Sequence, residues 1–255
     1  MGFMILGNGR PNGPYTSCEQ CPLRKRKCLR EFTVEELGFV KQFKTDELRV
    51  DAGASFLRQG AGSEYLYTVL SGWAFRYKSL DDGRRQILNY ALPADMVGLQ
   101  GTLMREMEHS VEALTPLVLC VFPRSRLFEL YGHFPSLAFD ITWLAAREEQ
   151  LIDENLVSLG RRTALERTAF ILLRLFVRAE EAGMTKNSTI QFPFTQQHLA
   201  DTLGMSLVHT NKTLKRLSAS NTIRWKDRMF ELIDRATLAA IAGDETGPHR
   251  PRPFI

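Results

Sequence analysis

Residues 195–217, TQQHLADTLGMSLVHTNKTLKRL, hold two helix starts and one sharp stop in quick succession. Thr195 and Ser206 each precede a run of helical apolar spacing, and a hydroxyl there caps a helix by accepting a hydrogen bond from one of its free backbone N–H groups. Gly204, between them, permits the left-handed backbone that ends one helix and redirects the chain. Leu199 and Leu203 give the first helix an apolar face. On the second, Leu207, Thr210, Leu214 and Leu217 share one side, while Val208, His209, Lys212, Lys215 and Arg216 take the rest, with Asn211 between. This order of cap, Gly turn and cap specifies a helix-turn-helix. A buried side docked on the first helix leaves a cationic, hydrogen-bonding surface that suits a major groove. On a helix standing alone the same surface would be an ordinary solvated face, and the Gly turn and second cap weigh against that.

The next stretch, NTIRWKDRMFEL, reads as two short strands around Lys226-Asp227, with Arg224, Lys226 and Arg228 close together. A hairpin carrying those cations beside the helix makes a winged helix-turn-helix whose wing holds phosphates without reading sequence. The expected DNA-contact set is therefore Thr195, Gln196, Ser206, Val208, His209, Asn211, Lys212, Lys215, Arg216, Arg224, Lys226 and Arg228. Net charge is only +4, so double-stranded DNA as a partner is argued from where the cations lie.

Upstream the periodicity changes twice. From Leu48 to Pro123, short and partly alternating apolar segments such as EYLYTVLSGWAFRYKS and RQILNYALP are broken by Gly, Asp-Gly and Pro. This pattern predicts an antiparallel sandwich or barrel of jelly-roll type, with a two-residue hairpin turn at Asp82-Gly83. From Ser136 to Arg178 the spacing is helical: Leu144, Leu151, Ile152, Leu156 and Leu159 recur every three or four residues, as in a long amphipathic helix that meets a partner helix. Gly160 marks an end or hinge before a second helix, TALERTAFILLRLFVRAEE, which closes at Gly183. The final GDETGPHRPRPFI predicts poor order. The expected organisation is an arm (1–30), a β-domain (31–135), the long helix (136–160), the winged helix-turn-helix (161–243) and a disordered tail (244–255).

No run of about eighteen apolar residues occurs, so no membrane association and a cytoplasmic location are expected. An enzyme is not expected either: a cysteine-dependent one needs a Cys, a His and an orienting Asn or Asp in one cleft. The five histidines, His109, His133, His198, His209 and His249, have no evident relation to the cysteines. Cys18, Cys21 and Cys28 are bunched in CEQCPLRKRKC, and Cys120 stands alone in the apolar run LVLCVF. Such a set does not make a disulfide scaffold. An iron–sulfur centre, a thiol switch, a zinc site and a basic arm that merely contains thiols all fit that composition.

β-rich domain, long helix and winged helix-turn-helix, in that order, resemble the Crp/Fnr family of transcription regulators. The resemblance implies an α+β fold: an N-terminal jelly-roll β-domain of cyclic-nucleotide-binding type, a long dimerisation helix and the C-terminal winged helix-turn-helix. It also implies a homodimer on an inverted-repeat site and RNA polymerase as a partner. The dimer helix would meet its copy through Leu144, Leu151, Ile152, Leu156 and Leu159, and Glu154 stands where the Fnr-like sensors carry an acid that opposes association until a cluster forms. Members that bind cyclic AMP carry Gly-Glu and Arg-Ser pairs; here those places hold Gly98-Leu99-Gln100 and His109-Ser110, which speaks against cyclic AMP. The cysteines resemble the Fnr-like branch, in which three N-terminal thiols and a later one hold a [4Fe–4S] cluster. The resemblance makes Cys18, Cys21, Cys28 and Cys120 its ligands, with Arg24, Lys25, Arg26 and Lys27 offsetting their charge. On the recognition helix, Val208, Asn211 and Lys212 replace the Fnr-type Glu, Ser and Arg, so a different half-site is expected.

Overall fold

The computed structural model describes residues 15–244 and 251–255. A capping box starts the first helix, α1 (Val34–Phe43): Glu36 N–H donates to the Thr33 hydroxyl, and Thr33 N–H donates to the Glu36 carboxylate. Eight strands follow: β1 (Asp46–Val50), β2 (Ser55–Leu57), β3 (Tyr65–Ser71), β4 (Ala74–Ser79), β5 (Arg85–Ala91), β6 (Met96–Val97), β7 (Ser110–Ala113) and β8 (Leu117–Pro123), with a short helix α2 (Leu99–Met104) between β6 and β7. They form two antiparallel sheets, ordered β1-β8-β3-β6 and β2-β7-β4-β5, the sandwich that the alternating pattern predicts. The β4–β5 turn is wider than a two-residue hairpin. Residues 80–84 form it, Leu80 N–H donates to the Arg84 carbonyl, and Gly83 takes the positive φ of +84°.

Strand β8 shows how the apolar run LVLCVF is used. Leu117, Leu119 and Val121 face the other sheet, whereas Val118, Cys120 and Phe122 face outward into a second apolar cluster. Both faces are buried, so no polar alternation marks them. That second cluster is built from the cysteine arm, α1, α3 (Leu127–His133) and α4 (Pro135–Arg161).

Helix α4 ends at Arg161, and Thr163 then caps α5 (Ala164–Glu181) through a box with Glu166. The break therefore lies at Arg162, two residues past Gly160, next to the new cap at Thr163. The remaining elements are β9 (Thr189–Gln191), α6 (Gln196–Leu203), α7 (Leu207–Ala219), β10 (Ile223–Lys226), β11 (Met229–Leu232) and α8 (Arg235–Ala242), with the three strands in a sheet of order β10-β11-β9.

Residues 251–255 correct the expectation of a disordered tail. Pro253, Phe254 and Ile255 are buried, the Phe254 ring lies 4.8 Å from that of Phe32, and Arg252 pairs with Asp95 at 3.1 Å. Gly and Pro content set the expectation, but two large apolar side chains with a groove to fill reverse it. Residues 245–250, which share it, lie outside the described residues.

Candidate DNA interface and cysteine pocket

Thr195 caps α6 by accepting from His198 N–H, Gly204 ends it at φ +61°, and Ser206 caps α7 by accepting from His209 N–H. Leu199, Ala200, Thr202 and Leu203 of α6 and Thr210, Thr213, Leu214 and Leu217 of α7 are buried, and the four leucines share one apolar cluster. Leu207 departs from the expected inner face: it is 40% exposed, and Thr213 takes the place within the packed side.

Every expected DNA contact except Asn211 is exposed: Thr195, Gln196, Ser206, Val208, His209, Lys212, Lys215, Arg216, Arg224, Lys226 and Arg228. Asn211 is half-buried. The wing turn falls at Asp227-Arg228, both at positive φ (51° and 66°), which gives the tight hairpin that presents Lys226 and Arg228 at its tip. Arg224 pairs with Glu231 across the hairpin, so it reaches a phosphate only by leaving that carboxylate.

A second site lies on the outer face of β8. The arm folds as two 3-10 turns, Cys18–Gln20 capped by Ser17 and Pro22–Lys25, with Leu23 fully buried as its anchor. Cys18, Cys21 and Cys120 line one cavity of about 20 Å³, walled also by Lys44, Thr68, Phe122, Phe254 and Ile255. Cys28 is not among the lining residues, because its thiol donates 3.0 Å to the Glu181 carbonyl on α5. Among the described residues no three His, Cys, Asp or Glu side chains stand close enough to hold one metal ion.

Burial pushes the Cys120 thiol up to about 12, against the pull of Lys44, and raises Cys18 and Cys28 as well. These three are neutral thiols at neutral pH, and any metal that binds them must displace their protons. A buried cation in the cavity wall is Lys44, paired with Glu47 at 2.7 Å. Of the cations expected to offset the thiolates, Lys25 and Lys27 face solvent, Arg24 lines the cavity while donating to the Glu19 carbonyl, and half-buried Arg26 acts electrostatically on Cys28 and Cys21. Lys44 lies far from the CEQC run in sequence; the β1–β8 pairing of Glu47 with Cys120 and its own hydrogen bond to the Thr16 carbonyl bring it there.

The dimer-helix set divides into two. Leu144 and Leu151 are buried inside the chain, and Leu159 packs on the α6–α7 turn, where its Cδ2 is 3.4 Å from where a Cβ on Gly204 would lie. Ile152 and Leu156 face solvent together with Val157, at 38%, 67% and 54% exposure. Glu154 accepts from Gln150 and pairs with Arg174 of α5 at 3.3 Å, while Asp153 is exposed. The expectation that all six face a partner is thus corrected: α4 has two apolar faces, one of them buried within the chain itself.

This architecture, a β-sandwich, a long helix and a winged helix-turn-helix, is that of a DNA-binding transcription regulator. Residues 47–133 match the cyclic nucleotide-binding domain and residues 166–241 the Crp-like helix-turn-helix domain. The chain is 30% identical to the nitrogen fixation regulation protein FixK of Bradyrhizobium diazoefficiens, over 91% of this chain and 95% of that one. It is 28% identical to the transcriptional activator protein FnrL of Cereibacter sphaeroides, over 90% and 93%. The solved structure of FixK2 from Bradyrhizobium japonicum superimposes with a TM-score of 0.70 at 25% identity, covering 79% of this chain and 98% of that one. The chain belongs to the Crp/Fnr family of transcription regulators. Its relatives are regulators, not enzymes, and among the described residues no helix is long and apolar enough to cross a membrane.

Proposed function

We propose that the chain is a homodimeric activator of the Fnr/FixK kind, which binds an inverted repeat in duplex DNA, engages RNA polymerase there, and senses oxygen through its cysteine arm. The observation that carries the DNA reading is the free face of α7, where Val208, His209, Lys212, Lys215 and Arg216 are all exposed behind a capped turn. Lys212→Ala is expected to weaken binding about uniformly across sequences and lower the salt slope by about one unit if Lys212 holds a phosphate, or to cost about 1–3 kcal/mol with relaxed specificity at one base if it reads an edge. Titration of labelled inverted-repeat DNA at several salt concentrations checks this, and unchanged affinity and slope would remove Lys212 from the interface.

For the sensor, the donor set fits a [4Fe–4S] cluster in kind: three of four thiols already face one cavity beside a buried Lys44. Cys18, Cys21, Cys28 and Cys120 would hold the cluster, which when bound supplies oxygen-labile, redox-active iron–thiolate bonds. Lys44 offsets the thiolate charge, and the side chains of Leu23, Val40 and Phe122 exclude water. Anaerobically purified protein is expected to contain iron and to show a broad visible absorbance that fades in air and needs all four cysteines. Colourless, iron-free protein that still binds DNA would leave the regulator standing and make the arm a thiol switch.

One observation favours a second reading, control by a small ligand. A cavity of about 500 Å³ lies between the β-domain and α4, lined among others by Arg76, Lys78, Arg147 and Arg178. Cyclic AMP is not the proposed occupant. His109 stands at the phosphate position, and burial together with Arg76 and Lys78 lowers its pKa to about 4, so it brings no charge. Glu108, Glu148 and Glu149 line the same space.

A further inference from the structure

Two backbone hydrogen bonds tie the main chain around Cys28 to residue 252. Arg252 N–H donates to the Cys28 carbonyl, and Arg30 N–H donates to the Arg252 carbonyl, both at 2.9 Å, so residues 28–30 and 252 form a short parallel bridge. The bridge is held at both ends. The Arg252 guanidinium reaches Asp95 at 3.1 Å and the carbonyls of Ala94 and Pro93. Beyond it, Phe254 and Ile255 are buried against the arm and β3, and the Thr68 hydroxyl donates to the Ile255 main-chain oxygen. Thr68 is the cross-strand neighbour of Cys120.

Phe254 and Ile255 are therefore walls of the cysteine cavity, and the room that remains is about that of one water molecule. A centre with four thiolate ligands does not fit beside them, and Cys28, bridged to Arg252 and bonded to Glu181, is turned away from it. We propose that the segment 251–255 is an internal peptide ligand of the cysteine pocket, bound through Arg252 and the Phe254-Ile255 pair, and that its docking and the gathering of all four thiols are alternative states. The ligand class is a short apolar peptide with one arginine two residues before a Phe-Ile pair. Its anchor Asp95 also pairs with Arg178 of α5 at 2.6 Å. One carboxylate thus joins the β-domain, the DNA-binding half and the docked segment, and undocking alters all three.

This proposal rests on the reading of the four cysteines as one site, and its test is separable from the test of a cluster. Metal-free full-length protein, a form with residues 251–255 deleted, and the milder Phe254→Ala are alkylated with N-ethylmaleimide, and each cysteine is followed by mass spectrometry. Deletion is expected to speed labelling of Cys28 and Cys120 at least about tenfold, with Phe254→Ala between, as when a closed local structure is opened. The synthetic peptide Pro-Arg-Pro-Phe-Ile added in trans should restore protection to the deleted form. Cobalt(II), as a thiolate probe, should bind the deleted form more tightly than the full chain. If labelling rates and cobalt affinity are the same in all three proteins, the segment does not guard the pocket and the proposal fails. Should the deleted form not fold, as read by circular dichroism, Phe254→Ala with and without peptide decides in its place. An iron-free native protein whose cysteines still open on deletion would overturn the cluster and keep the docking site.

Discussion

Arg30, two residues beyond the last cysteine of the arm, serves two carboxylates. It donates to Glu36 at 2.8 and 3.0 Å and to Asp140 of α4 at 2.9 Å, and Glu36 also accepts from Ser136 at 2.6 Å. Burial pushes the Glu36 carboxyl up, but Arg30, Ser136 and the Thr33 N–H outweigh it and hold it at about 2, against an ordinary 4.5. Burial wins at Asp140, which is raised. The two have opposite signs. A depressed acid contributes stability that is present above its unfolded pKa and lost as pH falls from about 4.5 to about 2, whereas a raised acid destabilises at neutral pH and is relieved on protonation. Glu36, with the larger shift, sets the net trend. Glu36→Gln is expected to lower stability near neutral pH by about 1–3 kcal/mol, from lost charge-assisted hydrogen bonds. The gap from wild type should narrow between about pH 5 and pH 2. Urea midpoints at a series of pH values check this, and a gap of constant size would mean that Glu36 acts only through packing. Single residues show how legibility ends: residue types alone left the role of the cysteines open, the family resemblance implied that they converge, and the turn of Cys28 toward Glu181 lies beside a bridge to residue 252 that no local pattern encodes.

Among the elements, α4 carries the most ambiguous message. Its apolar residues recur every three or four positions on two faces at once, and periodicity reports a face without saying what covers it. Leu144 and Leu151 fill the chain's own core, while Ile152, Leu156 and Val157 are left uncovered. The outward stripe is continuous with Ala145 and Glu149, both exposed, at the spacing of a coiled-coil seam. An isologous dimer places two such stripes against each other and sets two α7 helices at fixed half-site spacing. Leu156→Glu is expected to shift the protein toward monomer and to weaken inverted-repeat binding far more than half-site binding. Leu144→Ala should instead cost about 2–5 kcal/mol of fold stability with assembly unchanged. Sedimentation velocity beside thermal melts separates the two, and a dimer that survives Leu156→Glu would place the interface elsewhere. The helix-turn-helix was the opposite case: Thr195, Gly204 and Ser206 act through backbone chemistry within a few residues, so the sequence alone carried nearly all of it.

At the scale of the molecule, the expected division into β-domain and DNA-binding domain does not coincide with the cores. Trp73, Phe75, Ile87, Tyr90 and Leu92 of the β4–β5 region belong to the same apolar cluster as Phe192, Phe194, Leu199 and Leu203. The ring of Trp73 lies 6.1 Å from Phe192, and that of Tyr90 5.1 Å from Phe194. Polar contacts follow the same seam: Arg85 pairs with Asp201 at 2.7 Å, Gln86 donates to the Thr202 carbonyl at 2.9 Å, and the Tyr90 and Thr202 hydroxyls are 2.8 Å apart. The hairpin thus grips the first helix of the helix-turn-helix, and Arg167 of α5 closes the other side by donating to the Leu203 and Leu159 carbonyls. Sequence could not show this, since a strand with one face on its own sheet and one on a distant domain reads like any buried strand. The consequence is thermodynamic coupling. Removing Phe75, fully buried at the seam, is expected to cost about 3–5 kcal/mol. If the halves share a core, that cost falls on the unfolding of both, so calorimetry should show one transition for the wild type that moves down as a whole in Phe75→Ala. Two transitions of which only the lower responds would show that the β-domain and the winged helix unfold independently, and that the hairpin rests on α6 without stabilising it. Because the seam also holds α6 at a fixed place, the same substitution is expected to loosen the spacing of the recognition helices and weaken inverted-repeat binding at temperatures well below the transition, which titration of the folded variant reads directly.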